Sequence, residues 1–135
     1  MYKRQAPLLV LEHEEEVTAV ACYGEGDERR IVSAAGNKLF VWDAVAGGAP
    51  LLKLEGHTSN VEAVDCVVVA GELRVVTGSH DKTARVWGER GALLTLEHAS
   101  AVYSVAGVVA GDAWRVVSGT GKHGVKVWDL SLIHI

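Results

Sequence analysis

The sequence predicts an all-β protein built from repeated units of four antiparallel strands. Two observations carry this prediction. Three segments, Leu8–Asp43, Leu51–Gly88 and Leu93–Asp129, align with one another along their whole length. Within each segment, short Val-rich runs such as Leu73–Thr77 and Thr83–Trp87 are bounded by turn residues. Such runs are typical of strands and not of amphipathic helices.

Two landmarks stay in phase through the three copies. A histidine recurs at spacings of 44 and 41 residues, and a tryptophan recurs at spacings of 45 and 41. These landmarks are His13, His57 and His98, and Trp42, Trp87 and Trp128. Chance does not keep two such series in register, so the chain contains an internal repeat.

Turn residues divide each repeat into its four strands. Ala70-Gly71 and Ala110-Gly111 are predicted to be hairpin turns, and Ser79–Lys82 and Gly88–Gly91 to be the turns that follow in the middle repeat. The acidic stretch Glu12–Glu16 could begin a helix, but its phase against the other repeats predicts a loop.

Length, composition and charge limit the class of protein. The 135 residues are 49% hydrophobic and 22% charged, which suits one packed domain and argues against disorder. No run approaches the roughly 18 apolar residues of a membrane-spanning helix. The net charge of −4 disfavours binding to duplex DNA, and two cysteines are too few for a disulfide framework.

The two ends of the chain are expected to be foreign to the protein. Residues 1–5 can be written as the codons GTG TAT AAG AGA CAG, with GTG as an initiator. The reverse complement of these codons encodes Leu-Ser-Leu-Ile-His, which is residues 130–134. The element resembles the transposase end sequence that is used to prepare sequencing libraries. We therefore expect residues 1–5 and 130–135 to be scars and residues 6–129 to be an internal fragment, with 11 basic and 17 acidic residues and a net charge of −6.

A repeat of about 40–45 residues with four strands, a Gly-His near its start and a Trp-Asp at its end resembles the WD-repeat β-propeller family. The literal Gly-His occurs once, at Gly56-His57, and the other two repeats have glutamate before the histidine. Trp-Asp occurs at Trp42-Asp43 and Trp128-Asp129, whereas the middle repeat ends in Trp87-Gly88. The resemblance covers Leu8–Asp129.

The resemblance implies a buried hydrogen-bonded chain in each repeat, formed by a histidine, a strand serine or threonine, a turn aspartate and the tryptophan. In the middle repeat this set is complete, and it comprises His57, Thr77, Asp81 and Trp87. The first repeat offers His13, Ser33 and Trp42, and the third offers His98, Ser118 and Trp128. Since the first turn has Asn37 at best and the third has Lys122 where Asp81 stands, we expect these two turns to be less rigid.

In this family each repeat supplies the outer strand of one blade and the inner three strands of the next. The resemblance therefore implies that Leu8–Leu11 is an outer strand whose blade is missing. It assigns Val17–Asp43 with Pro50–Leu54 to blade 1, Val61–Gly88 with Ala92–Leu96 to blade 2, and Val102–Asp129 to a blade 3 that lacks its outer strand. Propellers usually close with four to eight blades, so we expect an open arc.

Neither chemistry nor a bound group is predicted. No histidine has zinc-like spacing with a cysteine, and no nucleophile triad or phosphate-binding loop stands out, so we expect no catalytic residue, no metal and no cofactor. Cys22 and Cys66 occupy equivalent positions nine residues after their histidines, and we expect both to be small buried thiols.

The resemblance implies a non-catalytic scaffold that binds other proteins through the face formed by the loops near each histidine. The flanking candidates are Glu16, Thr18, Asn60, Glu62, His80 and Tyr103. Two glutamates and the net negative charge favour basic or polar peptides as partners. We expect no nucleic acid or membrane partner and a location inside the cell, in the cytoplasm or nucleus.

Two other functions stay open at this point. The arc could be the accessory propeller of a larger enzyme or signalling protein, such as a kinase, a signalling NTPase or a ubiquitin-ligase subunit, whose catalytic motifs lie elsewhere. It could also be a reader of modified peptides or lipid headgroups through clustered basic residues. The second idea is weak in the sequence, because only Arg29 and Arg30 are adjacent basic residues in the repeats.

Overall fold

The computed structural model describes residues 6–24 and 28–131, which contain eleven strands in three separate antiparallel sheets. Blade 1 consists of β1 (Val17–Tyr23), β2 (Arg30–Ala35), β3 (Lys38–Asp43) and β4 (Leu52–Glu55). Blade 2 consists of β5 (Val61–Val69), β6 (Glu72–Ser79), β7 (Thr83–Gly88) and β8 (Gly91–Glu97). Blade 3 consists of β9 (Val102–Ala110), β10 (Ala113–Thr120) and β11 (Val125–Asp129).

Each sheet keeps its strands in chain order, with every strand antiparallel to the next. Within the described part of the chain, β11 pairs with β10 alone. The all-β arc of two complete blades and one three-stranded blade is therefore confirmed, and the sheets do not close into a ring.

The hydrophobic core lies between the blades because central strands bury both of their faces. On β6, Val75 faces blade 1 and packs in a cluster with Val41 and Trp87, whereas its neighbour Val76 packs with Val102 and Trp114 of blade 3. This is the period of two that a strand imposes on its side chains. The middle blade is thus an apolar layer between the other two.

Backbone and side-chain hydrogen bonds also join neighbouring blades. The amide of Val61 donates to the carbonyl of Gly36 at 2.8 Å, and the amide of Gly107 donates to the Asp65 carboxylate at 2.8 Å. A methyl group added at Gly78 would lie 2.7 Å from Val102 Cγ1, so this position requires glycine for close packing of blade 3 on blade 2.

Three expectations from the sequence are wrong in detail. Leu8–Leu11 does not form a strand, since no neighbouring strand pairs with it in the described structure. The second hairpin turn is displaced by one residue, because Ala110 pairs with Ala113 and leaves Gly111 in the loop. Cys22 is exposed and not buried, because in the described part of the chain no other sheet covers its side chain on β1.

The predicted scars lie mostly outside the described residues, which exclude 1–5 and 132–135. Of the C-terminal residues, Leu130 is buried in the core cluster between blades 2 and 3. Its amide donates to the carbonyl of Trp114 at 2.8 Å, and the Trp114 amide donates to Ser131 Oγ at 2.8 Å. The foreign origin of these ends stays a prediction. In the described ranges, no helix has the length and apolar character of a membrane span.

Candidate functional site

The histidine of blade 2 lies in a chain of four hydrogen-bonded side chains. Trp87 Nε1 donates to Thr77 Oγ1 at 2.8 Å, and that hydroxyl lies 2.6 Å from His57 Nε2. On the other side of the ring, His57 Nδ1 lies 2.8 Å from a carboxylate oxygen of Asp81. Because a carboxylate only accepts, Nδ1 carries the proton, and Nε2 accepts the hydrogen of the Thr77 hydroxyl. Each polar atom of this buried chain is thereby paired.

Asp81 holds the turn between β6 and β7 through both of its oxygens. One oxygen also accepts from the amide of Thr58 at 3.1 Å, and the other accepts from the amide of Thr83 at 2.9 Å and from its hydroxyl. Burial raises the pKa of Asp81, but the hydrogen bonds from Thr83, His57 and Thr58 lower it further than burial raises it. Burial lowers the pKa of His57 despite its bond to Asp81. The pair is therefore a neutral imidazole on a carboxylate.

Blades 1 and 3 keep the same chain but end it on the backbone. His13 Nε2 lies 2.7 Å from Ser33 Oγ, and His98 Nε2 lies 2.6 Å from Ser118 Oγ. In each blade the tryptophan Nε1 donates to that serine, at 2.8 Å for Trp42 and 3.1 Å for Trp128. The Nδ1 atom bonds to the carbonyl two residues earlier, at 2.8 Å on Leu11 and 3.0 Å on Leu96. A backbone acceptor thus replaces the turn aspartate in these two blades.

These networks hold one end of every sheet, which we call the upper edge. It comprises the loops before β1, β5 and β9, at residues 12–16, 56–60 and 98–101. It also comprises the turns β2–β3, β6–β7 and β10–β11, at residues 36–37, 80–82 and 121–124. Since consecutive strands run in opposite directions, the turns at residues 70–71, 89–90 and 111–112 lie at the other end, the lower edge.

The predicted partner-binding residues lie at or beside the upper edge but do not all meet. Glu16, Asn60 and His80 are exposed, and Glu62 is half-buried. The hydroxyl of Thr18 donates to the carbonyl of Val61, so this side chain links blades 1 and 2. Two contacts join candidates to one another. The amide of His80 donates to the carbonyl of Asn60 at 2.9 Å, and the rings of His80 and Tyr103 pack edge to face with centroids 6.2 Å apart.

That ring pair lies in a groove of about 530 Å³ between blades 2 and 3, which we call the blade 2–3 groove. Its walls are the β6–β7 turn of blade 2 and the loop and turn of blade 3. The lining residues are His80, Lys82, Ala99, Ser100, Ala101, Tyr103, Gly121, Lys122 and His123. Sequence reasoning identified His80 and Tyr103 but missed Lys82 and His123, which could have been found by aligning the two turns.

Among residues 6–24 and 28–131, no group of three or more His, Cys, Asp or Glu side chains could hold a metal ion. The histidines of the three networks have both ring nitrogens within hydrogen-bond distance of protein atoms. They maintain the fold and are not free to act on a ligand.

Comparison with known proteins agrees with this architecture. Residues 48–88 match the family described as "WD domain, G-beta repeat". This range includes the complete network of blade 2. Residues 48–88 therefore form a WD repeat.

Several curated proteins resemble this WD-repeat chain over part of their length. The peroxisomal targeting signal 2 receptor of Mus musculus is 35% identical over 86 residues, which are 61% of this chain and 27% of the receptor. The U3 small nucleolar RNA-associated protein 15 homolog of Mus musculus is 29% identical over 101 residues, 73% of this chain and 18% of that protein. The ribosome biogenesis protein WDR12 homolog of Drosophila persimilis is 29% identical over 128 residues, which are 89% of this chain and 29% of that protein. The WD-repeat chain therefore spans less than a third of each of these relatives.

Proposed function

We propose that this chain is a non-catalytic binding module that holds segments of other proteins on its upper edge. The observation that carries the proposal is that the buried and the exposed side chains at that edge have different roles. The buried networks use His57, Thr77 and Asp81 to fix the backbone of the loops, while neighbouring side chains such as Asn60, His80 and Tyr103 stay exposed. A rigid surface of exposed polar and aromatic groups binds a partner with a small loss of conformational entropy.

The WD repeat at residues 48–88 supports a scaffold role, and the relatives' names support a location inside the cell. These names speak of a targeting-signal receptor and of a protein associated with small nucleolar RNA. Over blades 1 and 2, Glu16 and Glu62 favour basic or polar peptide segments, because complementary charge speeds and orients association.

Selection of peptides on the purified 135-residue chain tests this function. A random library of 12-residue peptides displayed on phage is selected on the immobilised chain. The binding of the enriched peptides is then measured to the unchanged chain and to two variants. We expect them to bind the unchanged chain and an Asp112→Ala variant equally, because Asp112 lies at the lower edge. We expect an Asn60→Ala/Tyr103→Ala variant to lose most of the binding.

Both alternative outcomes would count against the proposal. If no peptide is enriched above background, the upper edge is not a peptide-binding surface. If the enriched peptides lose binding to the Asp112→Ala variant and keep it with the Asn60→Ala/Tyr103→Ala variant, the binding surface lies at the lower edge.

A further inference from the structure

The blade 2–3 groove has a one-sided charge. Lys82 and Lys122 line it together with His80 and His123, and no acidic residue is among the described residues that line it. The carboxylate nearest in the chain, that of Asp81, is turned inward and its side chain is only 4% exposed. The groove is therefore basic on a chain whose net charge is −4.

The groove is held in shape by the protein itself. The amide of His98 donates to the carbonyl of Lys82 at 2.9 Å, which ties the blade 2 wall to the loop of blade 3. On the opposite wall, His123 Nδ1 lies 3.0 Å from Ser100 Oγ. These bonds hold the backbone of the two walls, so less conformational entropy is lost when a partner binds in the groove.

An aromatic ring lies within this basic groove. Tyr103 is half exposed, yet its ring packs edge to face against His80. A methyl group added at Gly121 would lie 3.0 Å from Tyr103 Cε2, so the ring also lies close to the backbone of the β10–β11 turn. A flat aromatic surface in a groove that two lysines also line suits an extended chain that carries carboxylates and also buries some apolar area.

We propose that the blade 2–3 groove binds an acidic peptide segment of a partner protein, with Lys82 and Lys122 pairing with its carboxylates. This proposal rests on the proposed function and assigns a partner chemistry to one sector of the upper edge. It also divides that edge by charge, because the glutamates of blades 1 and 2 favour basic segments and this groove favours acidic ones.

Lys82 allows a variant that removes the charge without harming the fold. Its backbone has a φ of 72°, in the left-handed region that lysine rarely adopts and glycine adopts readily. Lys82→Gly should therefore fold at least as well as the unchanged chain. Lys122 is exposed in a turn, so Lys122→Gln is also compatible with the fold. Urea unfolding of both variants checks this before binding is measured.

Fluorescence anisotropy with a labelled octapeptide of alternating aspartate and alanine tests the proposal on the 135-residue chain. We expect the Lys82→Gly/Lys122→Gln variant to bind about tenfold more weakly, since two exposed charge pairs are lost. We expect the matched asparagine–alanine octapeptide to bind the unchanged chain more weakly by a similar factor. Lys53→Gln, which removes a lysine from β4 of blade 1, should leave the affinity unchanged.

Three results would overturn the proposal. Equal affinity for the aspartate and asparagine peptides would show that carboxylates are not recognised. An equal loss in Lys53→Gln would show that binding follows overall charge and not the groove. Binding of phosphatidylserine vesicles that depends on Lys82 and Lys122, without binding of the peptide, would assign the groove to a membrane surface.

The same measurements separate this proposal from the proposed function. If library peptides bind at the upper edge while the aspartate peptide does not bind, the acidic preference is wrong and the binding module remains. If no peptide of any charge binds, both proposals are wrong.

Discussion

Replacing Asp81 with alanine should lower the free energy of unfolding by about 2–5 kcal/mol. The substitution removes the acceptors of four hydrogen bonds, which come from His57 Nδ1, the amide of Thr58 and the amide and hydroxyl of Thr83. His57 is only 3% exposed, so its Nδ1–H cannot reach water, and an unpaired buried donor costs about 1–3 kcal/mol. The rest of the loss comes from the bonds of Thr58 and Thr83, each of which involves a charged acceptor.

Urea unfolding followed by tryptophan fluorescence measures this loss, at one fixed protein concentration for all variants. Asp81→Asn keeps one acceptor oxygen and should cost about half as much as Asp81→Ala. Lys122→Ala is the matched control at the corresponding turn of blade 3, and it should be nearly neutral because Leu96 supplies the acceptor for His98 there. Trp87→Ala should cost about 3–5 kcal/mol through the cavity that it leaves.

Two results would refute this reasoning. If Lys122→Ala costs as much as Asp81→Ala, the alignment of the two turns is wrong. If Asp81→Ala costs less than about 1 kcal/mol, His57 reaches another acceptor in the variant and the carboxylate is not what holds the turn.

Three further predictions concern titration, thiol chemistry and association. The lowered pKa values of His57 and Asp81 mean that the folded chain binds fewer protons than the unfolded chain. The urea midpoint should therefore fall as the pH drops below the ordinary histidine pKa of 6.5, and fall again below the ordinary aspartate pKa of 3.8. His57→Gln should weaken the first fall. A midpoint that stays unchanged down to pH 5 would contradict the lowered pKa of His57. Ellman's reagent at pH 8 should react quickly with one thiol, that of the exposed Cys22, because burial raises the pKa of Cys66 to about 12. A fast phase that survives in Cys22→Ser would show that the fast thiol is not Cys22. Sedimentation should show head-to-tail association of chains through the open edge of β11, where Val125 and Val127 are exposed. A cooperatively folded monomer at about 10 μM would mean that this edge is covered in some other way.

The strands and blades could be predicted from the sequence because they depend on local periodicity. A period of two in runs such as Thr83–Trp87 predicts a strand from local sequence alone. The three aligned copies give the repeat, and the resemblance to the WD-repeat family implies where each blade begins and ends. The prediction that Leu8–Leu11 is a strand was wrong, because a strand forms only beside another strand and the local sequence does not show whether a partner strand is present. The burial of Cys22 failed for the same reason, because it depends on a neighbouring blade and not on the residue's own strand.

The sequence by itself determined which side chains recur in each repeat, and the resemblance of these repeats to the WD-repeat family implied the members of the buried networks. Only the tertiary structure decided what completes those networks in blades 1 and 3, because the carbonyls of Leu11 and Leu96 are backbone groups with no sequence signature. It also decided that Lys82 and Lys122 line one groove, although they lie 40 residues apart in the chain. Adjacent basic residues can be found by reading along the sequence, but a charge cluster that spans two turns exists only once the blades pack.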